Sequence, residues 1–111
     1  MEMILRERRG VAILRLRGDL NPVGMVQLDH IISWLIEKDK LHIVLNLAGV
    51  SITSPRSLGI LVSAYSRIRE SGGQLKITHL NGENGGFLKT SFLKRLFDIC
   101  RDEGEAVRSF K

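Results

Sequence analysis

The sequence predicts a single α/β domain, residues 1–111, with a mixed β-sheet and helices packed on it. Three patterns predict this class. Apolar residues first alternate with charged ones, then recur at helical spacing, and short apolar runs separate the helical segments. The predicted order is β-β-α-β-α-β-α-β-α, which is typical of a sheet covered by helices. The opening pair of strands makes the sheet mixed.

The first two strands are predicted to form a hairpin. Residues 3–8 form a short strand, Arg9 and Gly10 supply a turn, and residues 11–17 form a half-buried strand. In the second strand the apolar face consists of Ala12, Leu14 and Leu16, and the charged face of Arg15 and Arg17. The turn-forming residues 18–22 end the hairpin.

Two amphipathic helices and a buried strand are predicted next. The apolar face of the first helix consists of Met25, Leu28, Ile31, Ile32, Leu35 and Ile36. Residues 43–47 form a short apolar run, which is typical of a central strand buried on both faces. Ser54 as N-cap and Pro55 at the first helical position predict the start of the second helix, and Gly72 with Gly73 its end. The apolar face of this helix consists of Leu58, Leu61, Val62, Tyr65 and Ile68.

The last third of the chain continues the alternation. A strand is predicted around Leu75 and Ile77, followed by a polar loop over residues 81–86. The remaining predicted elements are a helix over 87–96, a short strand over 97–100 and a closing helix over 103–110.

The composition is that of a soluble globular protein. Hydrophobic residues make up 43% and charged residues 26%, which argues against disorder of the whole chain. Cys100 is the only cysteine, so no internal disulfide forms. The N-terminus becomes charged too early for a signal peptide, and no apolar run approaches the roughly 20 residues that span a bilayer. We therefore predict a cytoplasmic protein without an integral membrane segment.

The net charge of +5 is concentrated near the N-terminus, in Arg6, Arg8, Arg9, Arg15 and Arg17. These arginines form either a solvated strand face that discourages edge-to-edge association or a surface for an acidic protein partner. Nucleic acid is not a predicted partner, because only 5% of residues are aromatic and no nucleic-acid-reading motif occurs.

Residue patterns that carry catalysis are missing from the sequence. His30, His42 and His79 are not spaced as metal ligands. The glycine-rich residues 82–90 depart from a P-loop, because Leu88 stands where a glycine must precede the lysine. No nucleophile elbow or dinucleotide fingerprint occurs. The sequence therefore predicts no enzymatic activity, no metal and no cofactor.

Residues 50–59 are the strongest candidate for a functional site. They leave the buried strand and enter a helix, and ligands meet such sheets at the carboxyl ends of strands. Arg56 falls in the first helical turn, where a cation is unfavourable by about 0.3–1 kcal/mol. It is therefore either a functional contact or a solvated arginine. A second hypothesis also stays open, in which the amides at the helix start near Ser54 bind a nucleotide or a small anion.

Four stretches, in order along nearly the whole chain, carry a family resemblance. They are residues 18–21, 43–50, 57–62 and 92–99, the last followed by 102–106. In these stretches the chain resembles a STAS domain, the fold of bacterial anti-sigma-factor antagonists. The resemblance implies a protein-binding regulatory module. Its implied partner is an anti-sigma factor, a serine kinase-like protein, or a larger STAS assembly, and the oligomeric state stays open.

The family's regulatory motif departs from its usual form in this chain. It usually reads Asp-Ser-Ser/Thr-Gly-Leu-Gly, with the first serine or threonine phosphorylated by a partner kinase. The acceptor position here is Pro55, which has no hydroxyl, so phosphate cannot be added there. Ser57 is the alternative acceptor, with Arg56 beside it to hold the charge. We predict that the partner docks around Asn21, Ser54, Pro55, Arg56 and Ser57, without phosphate control.

Overall fold

The architecture is seen in a computed structural model that describes residues 1–51, 55–80 and 94–110. The strands are β1 Glu2–Arg8, β2 Val11–Asp19, β3 His42–Ser51, β4 Gln74–Thr78 and β5 Ile99–Cys100. The helices with described bounds are α1 Pro22–Glu37, α2 Pro55–Glu70 and α3 Glu103–Ser109.

The described strands form one five-stranded sheet in the order β1-β2-β3-β4-β5. β1 and β2 are antiparallel, and the other neighbouring strands are parallel. The hairpin turn places both Arg9 and Gly10 at positive φ, 53° and 77°, which is the backbone of a two-residue type I′ turn. The predicted mixed sheet of an α/β fold is therefore confirmed.

The two faces of the sheet are covered to different extents. α1 and α2 pack on one face, where their buried side chains join the inward side chains of β2, β3 and β4. α3 packs on the other face over Val11, Ile13 and Val44. Consequently residues 11–14 of β2 are all buried, whereas the alternation in the sequence predicts a strand buried on one side only. The contact with α3 is the cause, because it removes the second face from solvent.

Some details of the helices differ from the prediction. Met25 is 36% exposed and Val62 is 38% exposed, although both were predicted on buried faces. Each lies at the margin of the stripe that its helix presents to the sheet. The glycine end of α2 is confirmed: Gly72 has φ +85°, and the Gly73 amide donates to the Ile68 carbonyl at 2.9 Å.

Several predicted features fall outside the described residues. These are the Ser54 N-cap, the loop over 81–86 and most of the helix over 87–96, of which residues 94–96 are helical. The last strand is shorter than predicted, with two residues in place of four. The closing helix ends at Ser109, one residue before the predicted end.

Candidate partner-binding site

The start of α1 is fixed by Asn21. This residue has an extended backbone, with φ −121° and ψ −179°, and its side-chain oxygen accepts a hydrogen bond from the Gly24 amide at 2.9 Å. Pro22 follows at the first helical position, where its missing N–H leaves no donor unpaired. Asn21 is exposed. The cap therefore holds a polar side chain at the surface, two residues after the end of β2.

Ser57 joins the start of α2 to the start of α1. Its side chain is buried, with the residue 6% exposed, and its hydroxyl donates to the Leu20 carbonyl at 2.9 Å. Leu20 is the residue before Asn21, and the ends of β2 and β3 are neighbours through the pair Asp19 and Ser51. Both helix starts therefore lie at the carboxyl ends of two adjacent parallel strands, as the sequence reasoning expected for Asn21 and the second helix.

Loss of this hydrogen bond has a measurable consequence for stability. We expect Ser57→Ala to lower the free energy of unfolding by about 1–2 kcal/mol, because the buried Leu20 carbonyl loses its donor. Urea denaturation would measure the change. Ser63→Ala, at an exposed serine of the same helix, is the control and should change the free energy by less than about 0.5 kcal/mol. Equal effects of the two substitutions would contradict the account of Ser57.

Arg56 presents a cation at this end of the sheet. It is exposed and lies in the first turn of α2, which contains no acidic residue. Among the residues that the structure describes, no carboxylate forms an ion pair with it. The guanidinium therefore faces solvent at a helix end that itself carries partial positive charge. Such an arrangement attracts an anionic group from outside the chain.

Apolar side chains beside Asn21 were missed by the sequence reasoning. Val23 is 67% exposed and Val26 is 51% exposed, in the first two turns of α1. The sequence did contain a signal for them, because the first two turns of α1 hold more apolar residues than fit on the one face that the helix can bury. No sequence pattern marked Ser57 as buried, since its contact with Leu20 spans 37 positions. The site thus combines a cap amide, a cation and exposed valines.

Two predicted site residues remain, and the structure describes one of them. Pro55 is the first residue of α2, and Ser54 lies outside the described residues. Elsewhere, His42 stacks on Phe110 with ring centroids 4.7 Å apart, and His79 forms a hydrogen bond with the Thr78 hydroxyl.

Across the described ranges, no three His, Cys, Asp or Glu residues are grouped to hold a metal ion. Within the same ranges no helix is long and apolar enough to cross a membrane.

A polar cluster anchors α3 on the face of the sheet opposite α1 and α2. The Arg15 guanidinium donates two hydrogen bonds of 2.8 Å to the Glu103 carboxylate, and the Asn46 amide donates a third at 2.7 Å. The hydrogen bond from Arg15 is the main cause that lowers the pKa of Glu103 to about 2. This cluster joins the first residue of α3 to β2 and β3. It is distinct from the surface at the start of α1 and α2.

The fold and the site define a mixed α/β domain that presents two linked helix starts at the carboxyl ends of its central strands. The STAS domain family model matches residues 2–106, and the chain belongs to the STAS domain family. The resemblance that the sequence carries is therefore confirmed. The chain is similar to anti-sigma factor antagonists of this family.

Individual relatives agree with this assignment. The chain is similar to the anti-sigma F factor antagonist of Paenibacillus polymyxa, with 26% identity over 111 residues, covering 96% of this chain and 92% of that protein. An anti-sigma factor antagonist from Mycobacterium paratuberculosis shares the fold at a TM-score of 0.77 and 16% identity, covering 97% of this chain and 92% of that one. The phosphorylated form of the Bacillus cell fate determinant SpoIIAA shares the fold at a TM-score of 0.70 and 18% sequence identity. The match covers 99% of this chain and 100% of that chain.

Proposed function

We propose that this chain is a non-enzymatic, cytoplasmic protein-binding module that acts as an anti-sigma-factor antagonist without phosphate control. Its partner is an anti-sigma factor or serine kinase-like protein, or a larger STAS assembly. The partner docks around Asn21, Ser54, Pro55, Arg56 and Ser57. The observation that carries the proposal is that α2 begins at Pro55, so the position of the family's phospho-acceptor has no hydroxyl.

The alternative acceptor is poorly placed for a kinase. Ser57 is 6% exposed, and its hydroxyl already donates to the Leu20 carbonyl. A kinase must bring an acceptor oxygen in line with a phosphoryl group, which requires close placement of both. Phosphate on Ser57 would also place about −1.5 to −2 charges in a buried position. These facts support a protein whose binding to its partner is not controlled by phosphorylation of this chain. The abundance of the chain, or the state of another subunit, would then set the signal.

The chemistry of the surface suggests what the partner contributes. Arg56 offers an exposed guanidinium without an ion pair among the described residues, and Val23 and Val26 offer apolar area on the adjacent helix. An acidic side chain set among apolar ones would complement both features. The net charge of +5 would also speed the encounter with an acidic partner.

Charge reversal at Arg56 tests this surface. We expect Arg56→Glu to weaken binding to the anti-sigma factor of the same organism by roughly tenfold, since it replaces attraction by repulsion. Isothermal titration calorimetry would measure the affinity. Arg8→Glu is the matched control, because Arg8 is exposed at the hairpin end of β1, at the opposite end of the sheet from the site. Unchanged affinity with Arg56→Glu, or an equal loss with Arg8→Glu, would place the interface elsewhere.

The second candidate is a nucleotide- or anion-binding module that uses the start of α2. It rests on the same helix start and on the absence of an acidic residue in its first turn. Titration of ATP, GTP and inorganic phosphate into the purified chain separates the two candidates. The protein-binding proposal predicts no saturable heat with any of these probes. Micromolar binding of one of them, lost in Arg56→Glu, would favour the second candidate.

A further inference from the structure

Among the described strands, β1 forms one edge of the sheet and β5 forms the other. Within the part of the chain that the structure describes, this seven-residue strand pairs with β2 alone. A long strand edge with unpaired N–H and C=O groups is a template for another strand. Three exposed apolar side chains lie on or beside it: Ile4 at 48%, Leu5 at 39% and Trp34 at 46%. This edge therefore has both free backbone groups and apolar area.

The hairpin register shows which backbone groups face outward. The two-residue turn closes on the pair Arg8 and Val11, and such a turn closes on a hydrogen-bonded pair. In an antiparallel pair, hydrogen-bonded and non-hydrogen-bonded residues alternate. The N–H and C=O groups of Met3, Leu5 and Glu7 therefore point away from β2, toward the free edge.

The side chains of β1 alternate between the two faces of the sheet. Met3 and Leu5 lie on the face of α1, where a groove is lined by Leu5, Arg6, Glu7, Ala12, Trp34, Leu35 and Lys40. Glu2, Ile4 and Arg6 lie on the face that α3 leaves partly open. Neither Glu2 nor Arg6 has an ion-pair partner among the described residues.

We propose that β1 pairs with β1 of a second copy of this chain, antiparallel and symmetric about Ile4, so that two sheets join into one. In this register Glu2 lies opposite Arg6 of the second copy, Met3 lies opposite Leu5, and Ile4 lies opposite Ile4. Within residues 2–6, each charged residue then meets an opposite charge and each apolar residue meets an apolar one. Such cross-strand pairs stabilise a sheet, and like charges directly opposite destabilise it.

Neighbouring registers lack this complementarity. In an antiparallel pair of β1 strands, an outward-facing residue of one copy must lie opposite an outward-facing residue of the other. Because every second residue faces outward, the symmetry axis of an allowed register passes through a residue and never between two residues. Symmetry about Leu5 pairs Glu2 with Arg8 but places Ile4 opposite Arg6 and Met3 opposite Glu7. Symmetry about Arg6 places Arg6 opposite Arg6. The order of charged and apolar residues on β1 therefore favours symmetry about Ile4. On this account the charges on β1 direct edge pairing, whereas one of the two interpretations of the sequence was that the arginines discourage it.

A charge-swap experiment tests the proposal on the full chain. Sedimentation equilibrium of the unmodified protein should show reversible association, with a mass that rises from one chain toward two as concentration increases. Glu2→Arg alone or Arg6→Glu alone should weaken self-association by roughly tenfold, because two symmetric pairs become repulsive. An equimolar mixture of these two variants should restore association, since each Arg then faces a Glu. Thermal melting of each variant confirms that it is folded.

The outcomes are decisive in both directions. Arg8→Glu is the matched control and should leave self-association unchanged, because Arg8 lies beyond the paired segment in the proposed register. A single-chain mass at millimolar concentration would overturn the proposal. So would a mixture of Glu2→Arg and Arg6→Glu that stays monomeric, or a loss of association in Arg8→Glu, which would indicate symmetry about Leu5.

Disulfide trapping checks the register independently. Residues opposite each other at a non-hydrogen-bonded position lie about 4.5 Å apart between Cα atoms, within the range of a disulfide. Ile4→Cys should therefore crosslink to a dimer under mild oxidation faster than Leu5→Cys. The native Cys100 does not compete, because it is buried and burial is the main cause that raises the pKa of its thiol. Faster crosslinking of Leu5→Cys would contradict the proposed register.

Discussion

Replacement of Ser57 by aspartate is expected to lower the free energy of unfolding by about 3–5 kcal/mol, the scale of an uncompensated buried charge. The residue is 6% exposed, and its side chain faces the Leu20 carbonyl oxygen at hydrogen-bond distance. A carboxylate in its place accepts hydrogen bonds and cannot donate one. Two acceptors would then face each other in a position with little access to water. Urea denaturation at neutral pH would measure the loss.

The matched control for this substitution is Ser63→Asp. Ser63 lies in the same helix and is exposed, so its carboxylate remains hydrated, and its effect should stay within about 1 kcal/mol. Near-equal denaturation midpoints for the two variants would mean that the Ser57 side chain is accessible. A folded, stable Ser57→Asp protein would also revive Ser57 as a phosphorylation site, because it would show that an anionic group is accommodated at this position.

The second large effect is expected from Glu103→Gln, which should lower the free energy of unfolding at neutral pH by about 2 kcal/mol. Glu103 accepts hydrogen bonds from Arg15 and Asn46, and a neutral amide cannot replace the charged interaction with the guanidinium. The Arg15 side chain is 48% exposed, so solvent screens part of the attraction and the expected loss is discounted accordingly. Glu70→Gln, at an exposed glutamate of α2, is the control.

The same cluster makes stability depend on pH in a defined window. Folding lowers the pKa of Glu103 from 4.5 to about 2, chiefly through the hydrogen bond from Arg15. Between these values the unfolded chain binds more protons than the folded chain, so stability falls as pH falls. The contribution of Glu103 is present in full above pH 4.5 and is lost as pH drops through about 2. Glu103→Gln should therefore show a shallower loss of stability across this window than the unmodified protein.

Much of the fold could be predicted from the sequence because local periodicity encodes it. Residues 11–17 alternate after the turn at Arg9 and Gly10, residues 43–47 form a short apolar run, and the two helices repeat their apolar residues at helical spacing. The hairpin, both helices and the central strand follow from these patterns. The glycine end of α2 was also predictable, since Gly72 adopts a positive φ that other residues rarely take. In each case the residues that define the element lie close together in the chain.

The features that could not be predicted depend on contacts between distant residues. The ion pair between Arg15 and Glu103 spans 88 positions, and the burial of Val11 and Ile13 depends on the α3 helix near the end of the chain. Neither contact leaves a local pattern. For the candidate site, the sequence predicted that Asn21 and the start of α2 share one end of the sheet, whereas the hydrogen bond from Ser57 to Leu20 emerged only from the folded chain.

The proposed surface and the proposed dimer edge use different parts of the molecule. The dimer edge is strand β1, whereas the partner-binding surface comprises the starts of α1 and α2. Arg56→Glu should therefore reduce partner binding without changing self-association, and Arg6→Glu should do the reverse. Both quantities can be measured on the same purified variants, so failure of one proposal leaves the other intact.

The central claim is that the protein binds its partner without a phosphate switch at the start of α2. The most direct measurement is to incubate the purified chain with the serine kinase-like anti-sigma factor of the same organism, ATP and Mg²⁺. The complex is then followed by size-exclusion chromatography and the chain by intact-mass spectrometry. The account predicts a complex that persists and a chain mass that does not change. A gain of one phosphate per chain, accompanied by release of the partner, would contradict it.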